Sequence, residues 1–227
     1  MLFDFHVHSV YSHDSYLKPE TIIKQYAKKG FSGIAITDHN SILGALKTKS
    51  ISNKSLLIII GEEIRMEKGE IIGFFLNEKI KSKTFHEVKD EIREQGGLIA
   101  LPHPFKSNKF NPELFVKEVD LIEGLNARIK KTLNIKACDL ARNFGLPIIA
   151  GSDAHTSFEI GNVQNKMPIV DFNIEEIRKA LTKGLNIPVG SESPGYIRLL
   201  SQGLGRYKRS GLSGITKSIY EKTLKGS

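Results

Sequence analysis

The chain has 227 residues, 40% hydrophobic and 26% charged, a composition that suits a globular domain and excludes disordered, collagenous and disulfide-stapled classes. No apolar run approaches the ~20 residues that span a bilayer, no leader pattern is expected at the start, and a lone cysteine, Cys138, fits a reducing, cytoplasmic setting. The net charge of +8 is uneven: from Gly195 onward seven basic residues (Arg198, Arg206, Lys208, Arg209, Lys217, Lys222, Lys225) face one acidic residue, Glu221, which leaves +2 for the first 194 residues. Such a tail suits a polyanionic partner, or equally a solvated surface helix.

Short apolar runs alternate with helical periodicity along most of the chain. LFDF, GIAIT, LLIII, IIGFFL, GLIAL, DLIEGL and PIIAG read as strands. PETIIKQYAKKG has Pro19 near a helix start and Gly30 at its stop, and TFHEVKDEIREQGG and TLNIKACDLARNFG also end on glycine. Cys138 lies at helical spacing with Leu133, Leu140 and Ala141, so it reads as core packing rather than a nucleophile. Regular alternation indicates parallel β/α units. The expected class is α/β, with seven or so units forming a closed or nearly closed barrel over residues 1–192. A basic helical extension, 193–227, follows: YIRLLSQGLGRYKR and SGITKSIYEKTLK are its two amphipathic segments.

The polar residues fall where five of those strands end. His6, His8, His13 and Asp14 follow LFDF; Asp38, His39 and Asn40 follow GIAIT; Glu62 and Glu63 follow LLIII; His103 follows GLIAL; Ser152, Asp153 and His155 follow PIIAG. In a parallel barrel these ends converge on one face, where such folds build their sites. Imidazole and carboxylate without thiolate suit Zn²⁺, Mn²⁺ or Fe²⁺. More ligands converge than one ion can use, so two or three ions are expected, and paired ions activate water against phosphate esters.

HVHSVYSHDS, TDHN, GEEI, HP and GSDAH, in this order, resemble the motifs of the PHP (polymerase and histidinol phosphatase) superfamily of metal-dependent phosphoesterases, over roughly residues 1–190. The resemblance implies a distorted, TIM-like (β/α)7 barrel. It places His6 and His8 with Glu63 and Asp153 on a first ion, and Asp14, His39 and His155 on a second. Glu63 would bridge to a third ion that also takes His103. Within GEEI the pattern favours Glu63 over Glu62; within SHDS it favours Asp14 over His13. Where many relatives carry histidine, Glu70 stands here, so Glu70 is either a third-site ligand or the mark of a weak site.

The remaining polar residues have looser assignments. Asp38 is either an acceptor that orients His39 in the catalytic site or the cap of a following helix. Arg128, Arg65 and Lys106 each follow a strand and are the candidates for gripping substrate phosphate, Arg128 foremost. Ser12 and Ser152 read as turn residues, and His86 as structural. The resemblance implies hydrolysis of a phosphate ester by hydroxide held on the ions, with His103 or His155 protonating the leaving group. Family substrates include histidinol phosphate, nucleotide bisphosphates and short nucleic acids; the basic tail favours a nucleotide or short oligonucleotide, contacted in part by the tail itself. The alternatives are a small-molecule phosphomonoesterase, a non-catalytic RNA-binding barrel akin to a ribonuclease P subunit, and an enzyme whose tail docks a partner or membrane surface.

Overall fold

Residues 1–52, 56–107, 111–169 and 171–224 are described in a computed structural model, with side chains as far as Gly211. Every apolar run named above is a strand: β1 (Leu2–Val7), β2 (Gly33–Ile36), β3 (Leu57–Arg65), β4 (Glu70–Phe74), β5 (Leu98–Leu101), β6 (Leu121–Asn126) and β7 (Ile148–Gly151). Helices α1 (Pro19–Lys28), α2 (Leu43–Ile51), α3 (Phe85–Glu94) and α4 (Lys131–Phe144) cover the outside. Gly145, at φ 65°, supplies the left-handed residue that ends α4, a conformation open to glycine without strain.

The strands run β1 to β7 in spatial order, each paired with its neighbour in sequence. Strand β7 then returns to β1: His8 N–H donates to Ala154 O at 3.0 Å, and Asp153 N–H to His6 O at 2.8 Å. The barrel is thereby nearly closed. Alternate residues of its strands, among them Phe3, Phe5, Ile59, Phe74, Ala100 and Ile149, fill its interior. Outward residues pack under the helices: Ile22 and Tyr26 of α1 on Ile34 and Ile36, and Val88 and Ile92 of α3 beside Ile99 and Leu101.

Three features depart from the sequence reading. Strand β4 is antiparallel to both neighbours, because only residues 66–69 join it to β3, far fewer than the dozen or so that a parallel crossover requires. After β5 the connection holds two 3-10 turns, Pro112–Leu114 and Val116–Glu118, in place of a helix. Helix α5 (Ile174–Thr182) and the antiparallel pair of β8 (Val163–Lys166) and β9 (Ile187–Gly190) that flanks it were not anticipated.

Strand β8 completes the seam. It pairs antiparallel with the start of β1, and the buried Asn165 side chain splices β8 to β7 and β1. Its Oδ1 accepts from Ala150 N–H at 2.8 Å, while Nδ2 donates to Ala150 O at 2.8 Å and Phe3 O at 3.2 Å. VQNK offered little strand signal because its register is set by side-chain bonds rather than by apolar alternation.

Helix α6 (Gly195–Leu224) breaks at Gly211, whose φ of 61° and ψ of −156° interrupt the helical run. The segment SGITKSIYEKTLK lies beyond the described side chains. No described helix is long and apolar enough to cross a membrane.

Replacing Asn165 by Ala leaves three buried backbone groups unpaired at the seam. Urea unfolding of Asn165→Ala is expected to show a loss of about 2–4 kcal/mol with an unaltered far-UV spectrum.

Candidate metal centre

The strand ends bring nine imidazole and carboxylate groups to one mouth. His6 lies in β1 and His8 just beyond it; Glu63 lies in β3; His39, His103, and the pair Asp153 and His155 follow β2, β5 and β7. Asp14 comes from the loop after β1. Glu70 is the first residue of β4, and because that strand runs downward its first residue sits at the rim.

Two local devices aim these side chains. Strand β1 shifts register against β2 between Asp4 and Val7, so Phe3 and Phe5 point into the barrel core while His6 still reaches the mouth. His103 and Asp153 adopt positive φ, 26° and 51°, a region that residues with a Cβ seldom occupy and that concentrates at functional sites.

The donor atoms form groups at ligand spacing. His6 Nε2 and His8 Nε2 are 3.0 Å apart; Glu63 Oε2 lies 3.6 and 3.4 Å from them, and Asp153 Oδ1 3.8 and 3.3 Å. Four donors about 2.1 Å from a tetrahedral ion stand roughly 3.4 Å from one another. A second group is built on Asp14, whose Oδ2 is 3.6 Å from His39 Nε2 and whose Oδ1 is 3.3 Å from His155 Nε2. Glu63 joins the groups: Oε2 is 2.9 Å from His39 Nδ1, and Oε1 is 2.9 Å from His103 Nε2. Glu70 Oε2, 3.9 Å from His103 Nε2, completes a third.

Behind the imidazoles stand acceptors that orient them. His6 Nδ1 faces Glu123 Oε1 at 2.9 Å, His8 Nδ1 faces Ser12 Oγ at 3.0 Å, and His155 Nδ1 faces Asp153 O at 2.8 Å. This is the arrangement in which a metal-binding histidine is fixed through its other nitrogen. Glu123 also accepts His103 N–H at 2.8 Å and Asn126 Nδ2 at 3.0 Å. Sequence reasoning missed Glu123 and Asn126, although a carboxylate in the apolar run DLIEGL was a signal. Glu159 was missed too: fully buried, it accepts the backbone N–H groups of His155 and Thr156.

Electrostatics divide the cluster. Burial opposes charge on His39, but Glu63 and Asp14 outweigh it and raise its pKa to about 10. Burial likewise works against a charged His6, yet Glu123, Asp153 and Glu63 hold it well above the usual imidazole range. His8 is driven the other way, first by burial and then by His155 and His39. Glu63 and Asp153 lie well below the carboxylate range, because the surrounding imidazoles (and, for Asp153, Arg128) overcome the penalty of burial. The anionic donors therefore stay ionised and suited to cations.

Other expected residues land as follows. Asp38 is fully buried and accepts both Ser9 N–H and Ser9 Oγ–H at 2.6 Å. Of the roles expected for it, a helix cap and a partner of the His39 ring are not what it does. It braces the loop after β1 through Ser9 and Ser12, the latter facing His8, and Gly44 is required because any Cβ there would strike the Asp38–Ser9 pair. Arg128 projects inward, its Nη1 against His155 Nδ1 and 3.7 Å from Asp153 Oδ1. Lys106 Nζ lies 3.5 Å from His103 Nε2 and 3.7 Å from Glu70 Oε2. Arg65 ends β3 exposed, on the same strand face as Glu63 but one pleat farther out. His13 is half exposed beside the inward Asp14. Both nitrogens of His155 are engaged, which fits a ligand better than a proton donor. His86 is exposed on α3, and Cys138 is half buried with its thiol donating to Gly124 O at 3.3 Å.

Helix α6 forms one wall of the mouth. A cleft of about 80 Å³ lies between it and the second ligand group, lined by Asp14, Arg128, His155, Gln202, Arg206 and Arg209.

The donors fit divalent ions by chemistry and by need. All are nitrogen or oxygen, as Zn²⁺, Mn²⁺ or Fe²⁺ accept. Asp14 Oδ1 is buried without a hydrogen-bond partner among the described residues, and an ion shared with His155 would satisfy it.

Comparison with known proteins bears on this arrangement. The PHP domain model matches residues 4–113, and the PHP-associated model matches residues 131–185. The uncharacterized protein MJ0417 of Methanocaldococcus jannaschii is 37% identical over 187 residues, 78% of this chain and 73% of that protein. A two-domain Bacteroides vulgatus protein containing a predicted PHP-like metal-dependent phosphoesterase superposes with a TM-score of 0.74 at 19% identity, over 84% of this chain and 65% of that one. The lesion-specific endonuclease PfuEndoQ of Pyrococcus furiosus superposes at 0.61 with 20% identity, over 84% of this chain and 59% of that one. This chain spans less than two thirds of either of these two solved chains.

The neighbouring glutamates separate cleanly in a test. Glu62 turns away from the mouth; its Oε2 accepts Ile80 N–H at 3.0 Å, and burial raises its pKa from 4.5 to about 7. The folded state holds that proton more tightly than the unfolded chain, so stability is lost as pH climbs from 4.5 through about 7. Glu62→Gln is expected to raise Tm at pH 8, by the equivalent of about 1–3 kcal/mol, and to leave it little changed at pH 4.5. Metal analysis should find Glu62→Gln loaded like the wild type, and His8→Ala, Glu63→Gln and Asp153→Ala depleted.

Proposed function

The chain belongs to the PHP-domain family, and from that premise we propose that it is a metal-dependent hydrolase of phosphate esters acting on a nucleotide or short oligonucleotide. The observation that carries this reading is the convergence of imidazole and carboxylate donors, bridged by Glu63, beside a cleft lined by three arginines.

His6, His8, Glu63 and Asp153 would hold one divalent ion, and Asp14, His39 and His155 a second. His103 and Glu70 stand at the third position with Lys106, whose ammonium adds positive charge there. Bound divalent ions supply activated water at neutral pH and neutralise charge on a phosphoryl group. The protein's own groups do the rest. Arg128, whose Nε lies 3.3 Å from Glu159 Oε1, brings its guanidinium charge to the second group, where it would attract an anion. Lys106 faces the same bowl from the other rim. With His155 and His103 both engaged as ligands, Lys106 is the proton carrier nearest a leaving group.

The arginine cleft favours a substrate with more than one phosphate. A single phosphomonoester would occupy the bowl alone, whereas a nucleotide chain leaving it toward α6 would pass Arg206 and Arg209. The lesion-specific endonuclease of Pyrococcus furiosus shares the fold and acts on nucleic acid, which lends this reading weight as an analogy.

Assays with Mn²⁺, Zn²⁺ or Fe²⁺ on a panel of phosphate esters test the proposal. Turnover of nucleotides or oligonucleotides is expected, and Asp153→Ala should abolish it; a chain that binds metal but cleaves no phosphate ester would overturn it. The paired change Arg206→Glu and Arg209→Glu is expected to raise KM for an oligonucleotide at least tenfold. It should also flatten the dependence of log affinity on log salt by about 1–2, as lost phosphate contacts do.

A further inference from the structure

The basic tail, read from sequence as an arm reaching for a partner, folds back onto the barrel in its first half. Lys208 extends its ammonium into the loop after β1 and donates to three carbonyls there: Val10 O at 2.9 Å, Ser12 O at 2.8 Å and Ser15 O at 2.6 Å. An ammonium has three donors, and all three are engaged. The loop so clasped carries Asp14. One turn earlier, Gly205 lies so close that a Cβ there would stand 3.1 Å from Asp14 O and 3.2 Å from Asp14 Cβ. Arg209 Nη1 lies 3.9 Å from Asp14 Oδ2.

A second tether runs to the other side of the same group. Buried Ser201 donates its hydroxyl to Glu159 Oε2 at 2.9 Å. That oxygen also accepts His155 N–H at 2.9 Å and Thr156 N–H at 3.0 Å. Helix α6 thus braces two of the three residues in the Asp14–His39–His155 group, through separate contacts about one to two turns apart. The first group depends on the helix less, meeting the clasped loop only where Ser12 and Ser15 touch His8. His6, His8 and Glu63 are seated in or beside barrel strands, and the bonds that orient His6 and His8 come from Glu123 and Ser12.

Building on the metal-centre reading, we infer that α6 is an integral part of the second ion site: Lys208 is a positioning residue for Asp14, and the Ser201–Glu159 link one for His155. The barrel alone supplies a complete first group and an unbraced second one. Ion occupancy at the second site therefore depends on a helix at the far end of the chain.

Titration of the full-length, metal-stripped protein with Mn²⁺, followed by calorimetry and by elemental analysis after desalting, tests this. Lys208→Met is expected to weaken one class of Mn²⁺ site by about tenfold or more, the range seen when groups behind metal ligands are removed, and to affect the other class markedly less. The far-UV spectrum should stay near the wild-type one. Metal-free Tm is expected to fall somewhat, because the carbonyls of buried Ser12 and Ser15 lose their donor. The selective loss at one site class is what distinguishes positioning from a general loss of stability. Gly205→Val, which pushes the helix off the Asp14 loop from its other face, should reproduce the selective loss. Wild-type stoichiometry and midpoints in both variants would overturn the inference, and so would equal weakening of every site. A wild-type chain that retains no divalent ion at all would sink the metal-centre reading itself, and this inference with it.

Discussion

A buried carboxylate ringed by imidazoles is the constraint around which this molecule is organised. Glu63 is almost fully enclosed, yet its two oxygens reach His6, His8, His39 and His103. An ionised carboxylate out of water is tolerated only with cationic or hydrogen-bonding compensation. In the protein without ions, raised His6 and His39 provide that compensation; divalent cations would provide it more fully while leaving the imidazoles neutral. Every strand that ends near Glu63 contributes to solving the same electrostatic problem.

The barrel serves that problem through deliberate irregularity. A register shift in β1 lets one strand fill the core with Phe3 and Phe5 and still present His6 above them. A second shift, in β6 between Glu123 and Leu125, allows both Glu123 and Asn126 to face the site. Left-handed backbone at His103 and Asp153 turns side chains inward where a regular exit would not. Strain of this kind persists only where surrounding bonds over-determine it, and the backbone N–H groups of both residues are held, by Glu123 Oε2 and by His6 O. The antiparallel β4 belongs to the same logic, since only a reversed strand could bring its first residue, Glu70, to the mouth.

The C-terminal helix joins scaffold to site. Its cations divide by depth: Lys208 is consumed by loop carbonyls, while Arg206 and Arg209 line the cleft beside Asp14 and His155. A positive segment that looked like a free arm in composition is, over its described half, a wall. Charge counted along a chain says how much attraction is available; only packing says where it points.

By itself the sequence determined the α/β class, the seven barrel strands and the identity of the donors that meet at the mouth, because apolar runs and the polar residues at their ends are local signals. The family pattern favoured Glu63 over Glu62, and Glu62 indeed turns away from the mouth to Ile80, whereas His13 stands beside Asp14 and His39. Tertiary structure alone decided the direction of β4, the seam closed by Asn165, the brace formed by Asp38 on Ser9, and the roles of Glu123, Glu159 and Lys208. Each of those rests on a contact between residues distant in sequence, such as His6 with Glu123 or Ser12 with Lys208. Hydrogen bonds of that kind leave no periodicity in the chain, since their partners are chosen by the fold and not by their neighbours.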